Sequence, residues 1–325
     1  MQQSDYKTSV DLAAAVSKGD RPALAAALNL LDDQRASARS KAAELLAQLQ
    51  LNQEFPDKHL IGITGPPGAG KSTLCAALIS VWRKRGLRVG VLAVDPSSPI
   101  SGGALLGDRL RMQTSDEDDG VFVRSLSSRG QFGGLSAEVW PMSVVMLAGF
   151  DIVLIETVGV GQREADIARL CDTTCYVAQP GSGDSVQFLK AGILEVPHIL
   201  VVNKEDMGNV ARRTLAELKA ALNREHPDGD WEVPVLATSA TKHAGIETLA
   251  DVIHQHHNAL KAQQKLVSRR RRYQSYWIHK RLQEEFGSFG IERLGGEQLL
   301  LTQLEENELD LLQHYESLRA RLNKV

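Results

Sequence analysis

Several features that would mark a membrane, secreted or nucleic-acid-binding protein are missing from the sequence. No apolar run approaches the roughly 18 to 20 residues that a membrane-spanning helix needs. The amino terminus lacks the apolar core of a secretory signal, and Asp5 and Asp11 are unlike the acid-poor start of a mitochondrial presequence. The 37 Lys and Arg residues nearly balance the 40 Asp and Glu residues, giving a formal net charge of -3. We therefore expect a cytoplasmic protein that acts without a membrane or nucleic-acid partner.

Cysteine and histidine are scarce, and their spacing does not complete a metal site. The three cysteines among 325 residues are Cys75, Cys171 and Cys175. Cys171 and Cys175 stand one helical turn apart, but no second pair at ligand spacing accompanies them, so we expect buried, reduced thiols. His254, His256 and His257 lie in a polar helical pattern, and we expect them on a solvated helix face. The basic run 269–272 has the same interpretation, as the solvated start of a helix.

The order of apolar segments indicates an α/β fold with helical extensions. Residues 9–50 carry three short stretches of helical periodicity, and the segments 246–265, 269–286 and 296–322 are again helical by pattern. Between them, short apolar runs without alternation are typical of strands buried on both faces, which indicates a mainly parallel sheet flanked by helices. The runs are 59–64, 89–94, 121–123, 151–155, 174–178, 198–202 and 233–237. We predict an extension at 1–56, a nucleotide-binding domain at 57–262 and a helical arm at 263–325.

A leucine stripe runs along the carboxyl-terminal helices. Leu304, Leu311 and Leu318 repeat at seven residues, with Tyr315 and Leu322 at intervening positions. Such a stripe must be covered, either by its own domain or by a second copy of the chain. The pattern alone leaves both possibilities open, and the second makes 263–325 a dimerisation arm.

A phosphate-binding loop lies at residues 65–72. The segment Gly-Pro-Pro-Gly-Ala-Gly-Lys-Ser matches G-x-x-x-x-G-K-[ST] and stands between a predicted strand and a predicted helix, as the motif requires. Backbone N–H groups and the helix N-terminus bind phosphate oxygens, Lys71 reaches the β and γ phosphates, and Ser72 coordinates Mg²⁺. The candidate nucleotide contacts are Gly65, Pro66, Pro67, Gly68, Ala69, Gly70, Lys71, Ser72 and Thr73.

A guanine-reading motif follows a later strand. In Asn203-Lys204-Glu-Asp206, the carboxylate of Asp206 can accept from both the N1–H and the exocyclic amine of guanine, whereas adenine offers neither donor. Ser239 and Ala240 follow the next strand, in a loop expected to present backbone N–H groups to the base. Together with the phosphate loop, these motifs predict a GTPase that binds GTP and GDP.

The metal side of the site departs from the pattern of small GTPases. Glu156 takes the place of the aspartate in Asp-x-x-Gly, and Gly159 has the spacing to meet the γ-phosphate. Gln162 is a candidate for positioning water, although its offset from Gly159 differs from that of the usual catalytic glutamine. Asp95 and Asp108 lie near the mouth of the sheet, where they are either metal-side carboxylates or turn and capping residues.

The combined motifs closely resemble the MeaB/ArgK family of P-loop GTPases, which is related to the human methylmalonic aciduria type A protein. The segments that carry the resemblance, beside the phosphate loop and 203–206, are Asp95-Pro-Ser-Ser98, Gly107-Asp-Arg-Leu-Arg-Met112 and Glu156-Thr-Val-Gly-Val-Gly-Gln162. The resemblance implies a homodimeric, Mg²⁺-dependent GTPase that serves as a chaperone for the adenosylcobalamin-dependent methylmalonyl-CoA mutase, gating cofactor loading and protecting the mutase.

The same resemblance assigns further residues. It implies that Asp95, Asp108 and Glu156 are the magnesium-side carboxylates. The segment 179–190 resembles the family's additional switch, which responds to partner and nucleotide. Independently of the resemblance, Lys190 in that segment and Arg111 are either cations that a docked mutase orders toward the phosphates or solvated surface residues.

Two other functions use a similar site. An older name for the family suggests a kinase acting on arginine-transport proteins, and a phosphotransferase would use the same loop, although no acceptor pocket with its own general base is marked in the sequence. A nickel-inserting GTPase is expected to carry a His- and Cys-rich tract near its amino terminus. Residues 1–50 contain neither residue type.

Overall fold

The computed structural model describes residues 6–33, 35–51, 55–95, 118–127, 139–157, 167, 170–181, 197–222, 231–306 and 311–323. The chain divides into two compact units. One, here called the sheet unit, comprises Asp57–Ser136 and Phe150–Gln264, and the other, here called the helical unit, comprises Met1–Pro56, Ala137–Gly149 and Lys265–Val325.

The sheet unit is built on a parallel sheet. Among the described residues it has seven strands in the order β3-β2-β4-β1-β5-β6-β7, and every pairing between neighbours is parallel. The strands are β1 His59–Thr64, β2 Val89–Asp95, β3 Val121–Ser127, β4 Ile152–Thr157, β5 Thr173–Ala178, β6 Ile199–Val202 and β7 Val235–Ala237. The predicted parallel α/β fold is confirmed. Because all strands run in the same direction, the loops that follow them meet at one carboxyl edge.

Helices cover both faces of this sheet. Helix α4, Lys71–Lys84, and helix α7, Ile246–Ala262, pack with the central strands in one apolar core. Helix α6, Asn209–Ala221, closes a smaller core with β5 and β6 through Ala211 and Leu218. The central strands β1, β4 and β5 are buried along their whole length, which explains why their sequences do not alternate.

The helical unit combines segments from three parts of the chain. Its helices are α1 Ser9–Ser17, α2 Arg21–Asp32, α3 Ala36–Leu51, α5 Val139–Gly149, α8 Lys265–Arg293, α9 Glu297–Glu306 and α10 Leu311–Asn323. Thr8 caps α1, and Asp20 caps α2 by accepting from the Ala23 N–H at 2.8 Å. Trp277 of α8 packs against Trp140 of α5, with ring centroids 5.0 Å apart and the rings tilted by 35°, so the middle and carboxyl-terminal segments share one core.

The leucine stripe is covered by its own unit. Leu304, Tyr315, Leu318 and Leu322 are buried, and Tyr315 donates a hydrogen bond to Glu285 of α8 at 3.0 Å. The side chain of Leu311 lies outside the described residues. Packing within one chain therefore accounts for the described part of the stripe. A dimer interface on these helices stays a prediction, and it would have to be formed by side chains outside the stripe.

The expected solvated faces are partly wrong. Arg269 of the basic run is buried, whereas Arg272 is exposed. All three cysteines are buried, as predicted, and burial raises the pKa of Cys171 and Cys175 so that both stay protonated thiols.

The histidine prediction is wrong for two of the three residues. His254 is exposed, but His256 and His257 are buried in the sheet unit. The hydroxyl of Thr173 lies 2.7 Å from His59 Nε2 and 2.7 Å from His256 Nδ1. His257 stacks on His59 with ring centroids 4.3 Å apart. Helix α7 therefore meets the amino-terminal ends of β1 and β5 through a buried polar cluster.

Substituting Thr173 by valine should destabilise the sheet unit by about 1–3 kcal/mol, because two buried ring nitrogens lose the hydroxyl that lies between them. Urea unfolding followed by circular dichroism measures this change. Thr248→Val, at an exposed position on α7, is the matched control and should change stability by less than about 0.5 kcal/mol. Equal midpoints for the two variants would show that the hydroxyl contributes nothing.

Candidate functional site

The loop between β1 and α4 lies tightly against neighbouring strands. A Cβ on Gly65, whose φ is +139°, would stand 2.2 Å from the carbonyl oxygen of Val177 in β5. A Cβ on Gly70, whose φ is +86°, would stand 2.6 Å from Asn203 Nδ2. A side chain at Gly65 would collide with the backbone of β5, and one at Gly70 would displace the Asn203 side chain, while both positive φ angles also favour glycine.

Lys71 is buried at the start of α4 and folds back over the loop. Its Nζ donates to the carbonyl oxygens of Gly65 at 2.8 Å and Pro66 at 2.9 Å. The ammonium group therefore stands beside the N-terminus of a 14-residue helix, where the helix dipole also favours negative charge. This arrangement has the chemistry of an anion-binding site.

Hydroxyl and carboxylate oxygens that could coordinate a metal ion lie beside the loop. Ser72 Oγ donates to Glu156 Oε1 at 2.6 Å, and Glu156 is buried near the end of β4. Next to it, Thr157 Oγ1 donates to Thr64 Oγ1 at 3.1 Å, joining the ends of β4 and β1. Hydroxyl and carboxylate oxygens are the ligands that Mg²⁺ prefers, so Ser72 and Glu156 fit a magnesium ion.

Asn203 joins three loops at the carboxyl edge. Its Nδ2 donates to the Ala69 carbonyl at 3.0 Å. Its Oδ1 accepts from Thr238 Oγ1 and from the Ala240 N–H, each at 3.2 Å. Lys204 adds a second connection, because its Nζ donates to the Gly68 carbonyl at 2.7 Å. The loops after β1, β6 and β7 are thus held in one arrangement.

The side chain of Asp206 is exposed beside these loops, and its carboxyl group is kept ionised. Ser239 Oγ donates to Asp206 Oδ1 at 2.5 Å, and this hydrogen bond lowers the pKa of the Asp206 carboxyl below its usual value. The carboxylate is therefore an acceptor at neutral pH, with one oxygen engaged by Ser239.

The sequence model of the family described as methylmalonyl-CoA mutase-associated GTPase MeaB matches residues 24–289. The chain belongs to the MeaB family. Like the relatives named as GTPases, it is a GTPase, and it binds guanine nucleotides as this activity requires.

The chain is also similar to individual proteins and to a solved structure. A putative GTPase of Pyrococcus abyssi is 43% identical over 85% of this chain and 82% of its own length. GTPase ArgK of Escherichia coli is 34% identical over 82% of each chain, and the mouse methylmalonic aciduria type A homolog, a mitochondrial protein, is 35% identical over 82% of this chain and 67% of its own. A crystal structure of an LAO/AO transport system kinase aligns with a TM-score of 0.72 and 25% identity, covering 99% of this chain and 100% of that one.

The structure places many of the predicted site residues of this MeaB-family chain together at the carboxyl edge. These are Gly65, Pro66, Pro67, Gly68, Ala69, Gly70, Lys71, Ser72, Thr73, Glu156, Asn203, Lys204, Asp206, Ser239 and Ala240. Asp95 ends β2 at the same edge, and its side chain lies outside the described residues, as do Asp108, Arg111, Gly159, Gln162 and Lys190.

Sequence reasoning missed two polar residues at this edge, and it gave a third, Gln179, no role beyond membership of the segment 179–190. Thr64 and Thr157 are the last residues of buried strands, and a polar residue ending an apolar run is the signal that marks them. Gln179 directly follows β5, and its side chain lies against Gly68 of the phosphate loop.

A pocket of about 800 Å³ lies beside α4 within the sheet unit, and its lining includes Thr73, Ala240 and Thr241. Its volume lies in the range of small-molecule sites.

Within the described residues, no helix is long and apolar enough to cross a membrane.

Proposed function

We propose that this chain is a Mg²⁺-dependent GTPase that serves as a chaperone for an adenosylcobalamin-dependent methylmalonyl-CoA mutase or a related acyl-CoA mutase. In this role it gates loading of the cobalamin cofactor and protects the mutase from inactivation. The observation that carries the proposal is the family match over 24–289, since that family is described as mutase-associated. The mouse relative, named for methylmalonic aciduria, supports the same partner class.

The arrangement of the described residues supports specific roles for them in binding and orienting GTP. Lys71 supplies positive charge to the β and γ phosphates, and the loop N–H groups of 65–72 supply hydrogen-bond donors. Asp206 accepts from guanine N1–H and the exocyclic amine, while Ser239 keeps its carboxyl ionised. Asn203 and Lys204 hold the loops together, so that the groups that bind the base stay at a fixed distance from those that bind the phosphates.

The magnesium ion is proposed to be held by Ser72 and Glu156, with Asp95 and Asp108 as further carboxylates. When bound, it supplies neutralisation of charge on the β and γ phosphates during transfer to water. The buried Glu156 carboxylate beside the Ser72 hydroxyl supports this assignment.

The remaining proposed roles concern sensing of the γ-phosphate. Gly159 is proposed to meet that phosphate and Gln162 to position water, while Arg111 and Lys190 are cations recruited on partner docking. A homodimer is also proposed. Phe289 and Leu299, exposed apolar side chains on α8 and α9, are its candidate contacts. The three buried cysteines form no disulfide with one another, which suits a reducing compartment, and we place the protein in the cytoplasm.

One experiment distinguishes the proposed GTPase chaperone from a kinase. The purified chain is mixed with a purified acyl-CoA mutase and γ-labelled GTP, and co-elution, phosphate release and label on protein are followed. Co-elution with faster release of inorganic phosphate is expected. Transfer of the label to a protein acceptor would favour the phosphotransferase, and absence of co-elution would contradict the partner assignment.

Lys190→Ala should leave basal GTP hydrolysis nearly unchanged and reduce mutase stimulation by about 10³-fold or to the basal rate, because a cation ordered by the partner stabilises charge that develops in the transition state. Phosphate release with and without the mutase measures this. Lys219→Ala, an exposed lysine in the last turn of α6, is the control. Full stimulation in Lys190→Ala, with mutase binding verified by co-elution, would contradict the coupling role.

A further inference from the structure

Gln179 lies between the two motifs that bind nucleotide. Strand β5 pairs with β1 on one side and with β6 on the other. The phosphate loop follows β1, and Asn203-Lys204-Glu205-Asp206 follows β6. The residue that follows β5 therefore falls between the two loops at the carboxyl edge of the sheet.

The side chain of Gln179 lies against the middle of the phosphate loop. A Cβ on Gly68 would stand 3.2 Å from Gln179 Oε1 and 4.0 Å from its Cδ. Gly68 has a φ of +79°, and its carbonyl accepts from Lys204 Nζ at 2.7 Å. Lys204, after β6, is thus hydrogen-bonded to this glycine, and the Gln179 side chain, after β5, lies directly beside it.

The backbone beside Gln179 is restrained by helix α6. The N–H of Gly181 donates to Thr214 Oγ1 at 3.3 Å, and a Cβ on Gly181 would stand 2.9 Å from Val210 Cγ1. Pro180 is buried, fixes its own φ and restricts Gln179 to extended conformations. A side chain presented from such a backbone can hold its neighbour in place.

We propose that Gln179 is a positioning residue for the phosphate loop, which together with Lys204 holds Gly68 so that the loop N–H groups stay directed at the phosphates. The neutral amide adds no charge to offset that of the phosphates. Its effect therefore falls on retention of the nucleotide and not on the hydrolytic step. The proposal extends the GTPase activity and is independent of any mutase partner.

The test uses the full-length chain and fluorescent GDP. Gln179→Ala is expected to increase the GDP dissociation rate about tenfold, in line with the loss of a half-buried side chain that orders a binding loop. The single-turnover hydrolysis rate of bound GTP should change by less than about threefold, because no reacting atom is contacted. Gln179→Met keeps the length of the side chain and should restore most of the retention. Gln263→Ala, at an exposed position after α7, is the control for loss of a glutamine.

A double-mutant cycle distinguishes this role from general loss of stability. Because Gln179 and Lys204 both hold Gly68, the effect of Gln179→Ala on GDP dissociation should change at least about threefold in a Lys204→Met background. Wild-type dissociation in Gln179→Ala, additive effects in the cycle, or a hydrolysis rate that falls while dissociation is unchanged would each overturn the proposal. An equal fall in melting temperature for Gln179→Ala and Gln179→Met would also overturn it, since a shape-preserving variant should not share a positioning defect.

Discussion

Replacing Lys71 with alanine should reduce GTP hydrolysis by about 10³-fold or more, corresponding to about 4 kcal/mol of transition-state stabilisation. The ammonium is buried beside the helix N-terminus, and its two bonds to loop carbonyls place it where phosphate charge is to be bound. A preorganised cation in a partly dehydrated site is worth far more than one in water. Nucleotide affinity should fall as well, because in the proposed site the same group contacts the phosphates in the ground state.

Phosphate release under single-turnover conditions measures the loss of Lys71. Lys84→Ala, at the exposed carboxyl end of the same helix, removes an equal charge and should hydrolyse GTP at the wild-type rate. Thermal unfolding of both variants separates a lost phosphate contact from a lost fold. Turnover in Lys71→Ala within threefold of wild type would contradict the assignment of 65–72 as the phosphate loop.

The parts of the molecule that the sequence predicts well are those in which local pattern and tertiary environment coincide. The central strands are buried on both faces, so continuous apolar runs such as 152–155 identify them without knowledge of their neighbours. The phosphate loop is predictable for a similar reason, since its glycines are required by backbone conformation at Gly65, Gly68 and Gly70.

Other features depend on residues distant in the sequence. His256 is polar in a polar-looking helix, yet it is buried because Thr173, 83 residues earlier, places a hydroxyl at its Nδ1. Helix α5 is apolar on every side, so its sequence has no periodicity to tell a buried helix from a strand, and it packs with the helical unit although it lies between strands of the sheet unit. Gln179 has the sequence signal of an ordinary loop residue before proline. Only strand order brings it to the phosphate loop.

Asp206→Asn should reverse the base preference of the enzyme, shifting the ratio of GTP to xanthosine triphosphate affinity by about 10⁴-fold. In the proposed site the carboxylate accepts from the N1–H and the amine of guanine, whereas an amide would place a donor against that amine and leave one of guanine's donors unpaired. In xanthine a carbonyl replaces the amine, and the amide N–H₂ can donate to it. The amide oxygen can still accept from Ser239, so the loop geometry around residue 206 should be retained.

The pH dependence of guanine recognition follows from the same contact. The hydrogen bond from Ser239 lowers the pKa of the Asp206 carboxyl below its usual 3.8, so the charged form is present above that value and is lost only when the pH falls through the lowered pKa. Preference for GTP over ATP should therefore be flat from about pH 5 to 8. A preference that declines between pH 6 and 5 would assign base reading to another group.

Competition between labelled GTP and unlabelled xanthosine triphosphate measures the switch in Asp206→Asn. Glu205→Gln is the matched control, because Glu205 is the exposed neighbour of Asp206 in the short 3₁₀ helix Glu205–Met207, and its substitution removes the same charge. If the two variants lose GTP affinity equally, the effect is long-range electrostatics and not base reading. If Asp206→Asn alone gains xanthosine triphosphate and loses GTP, the loss and gain of one donor–acceptor pair account for both changes, and the guanine specificity of the chain resides in this carboxylate.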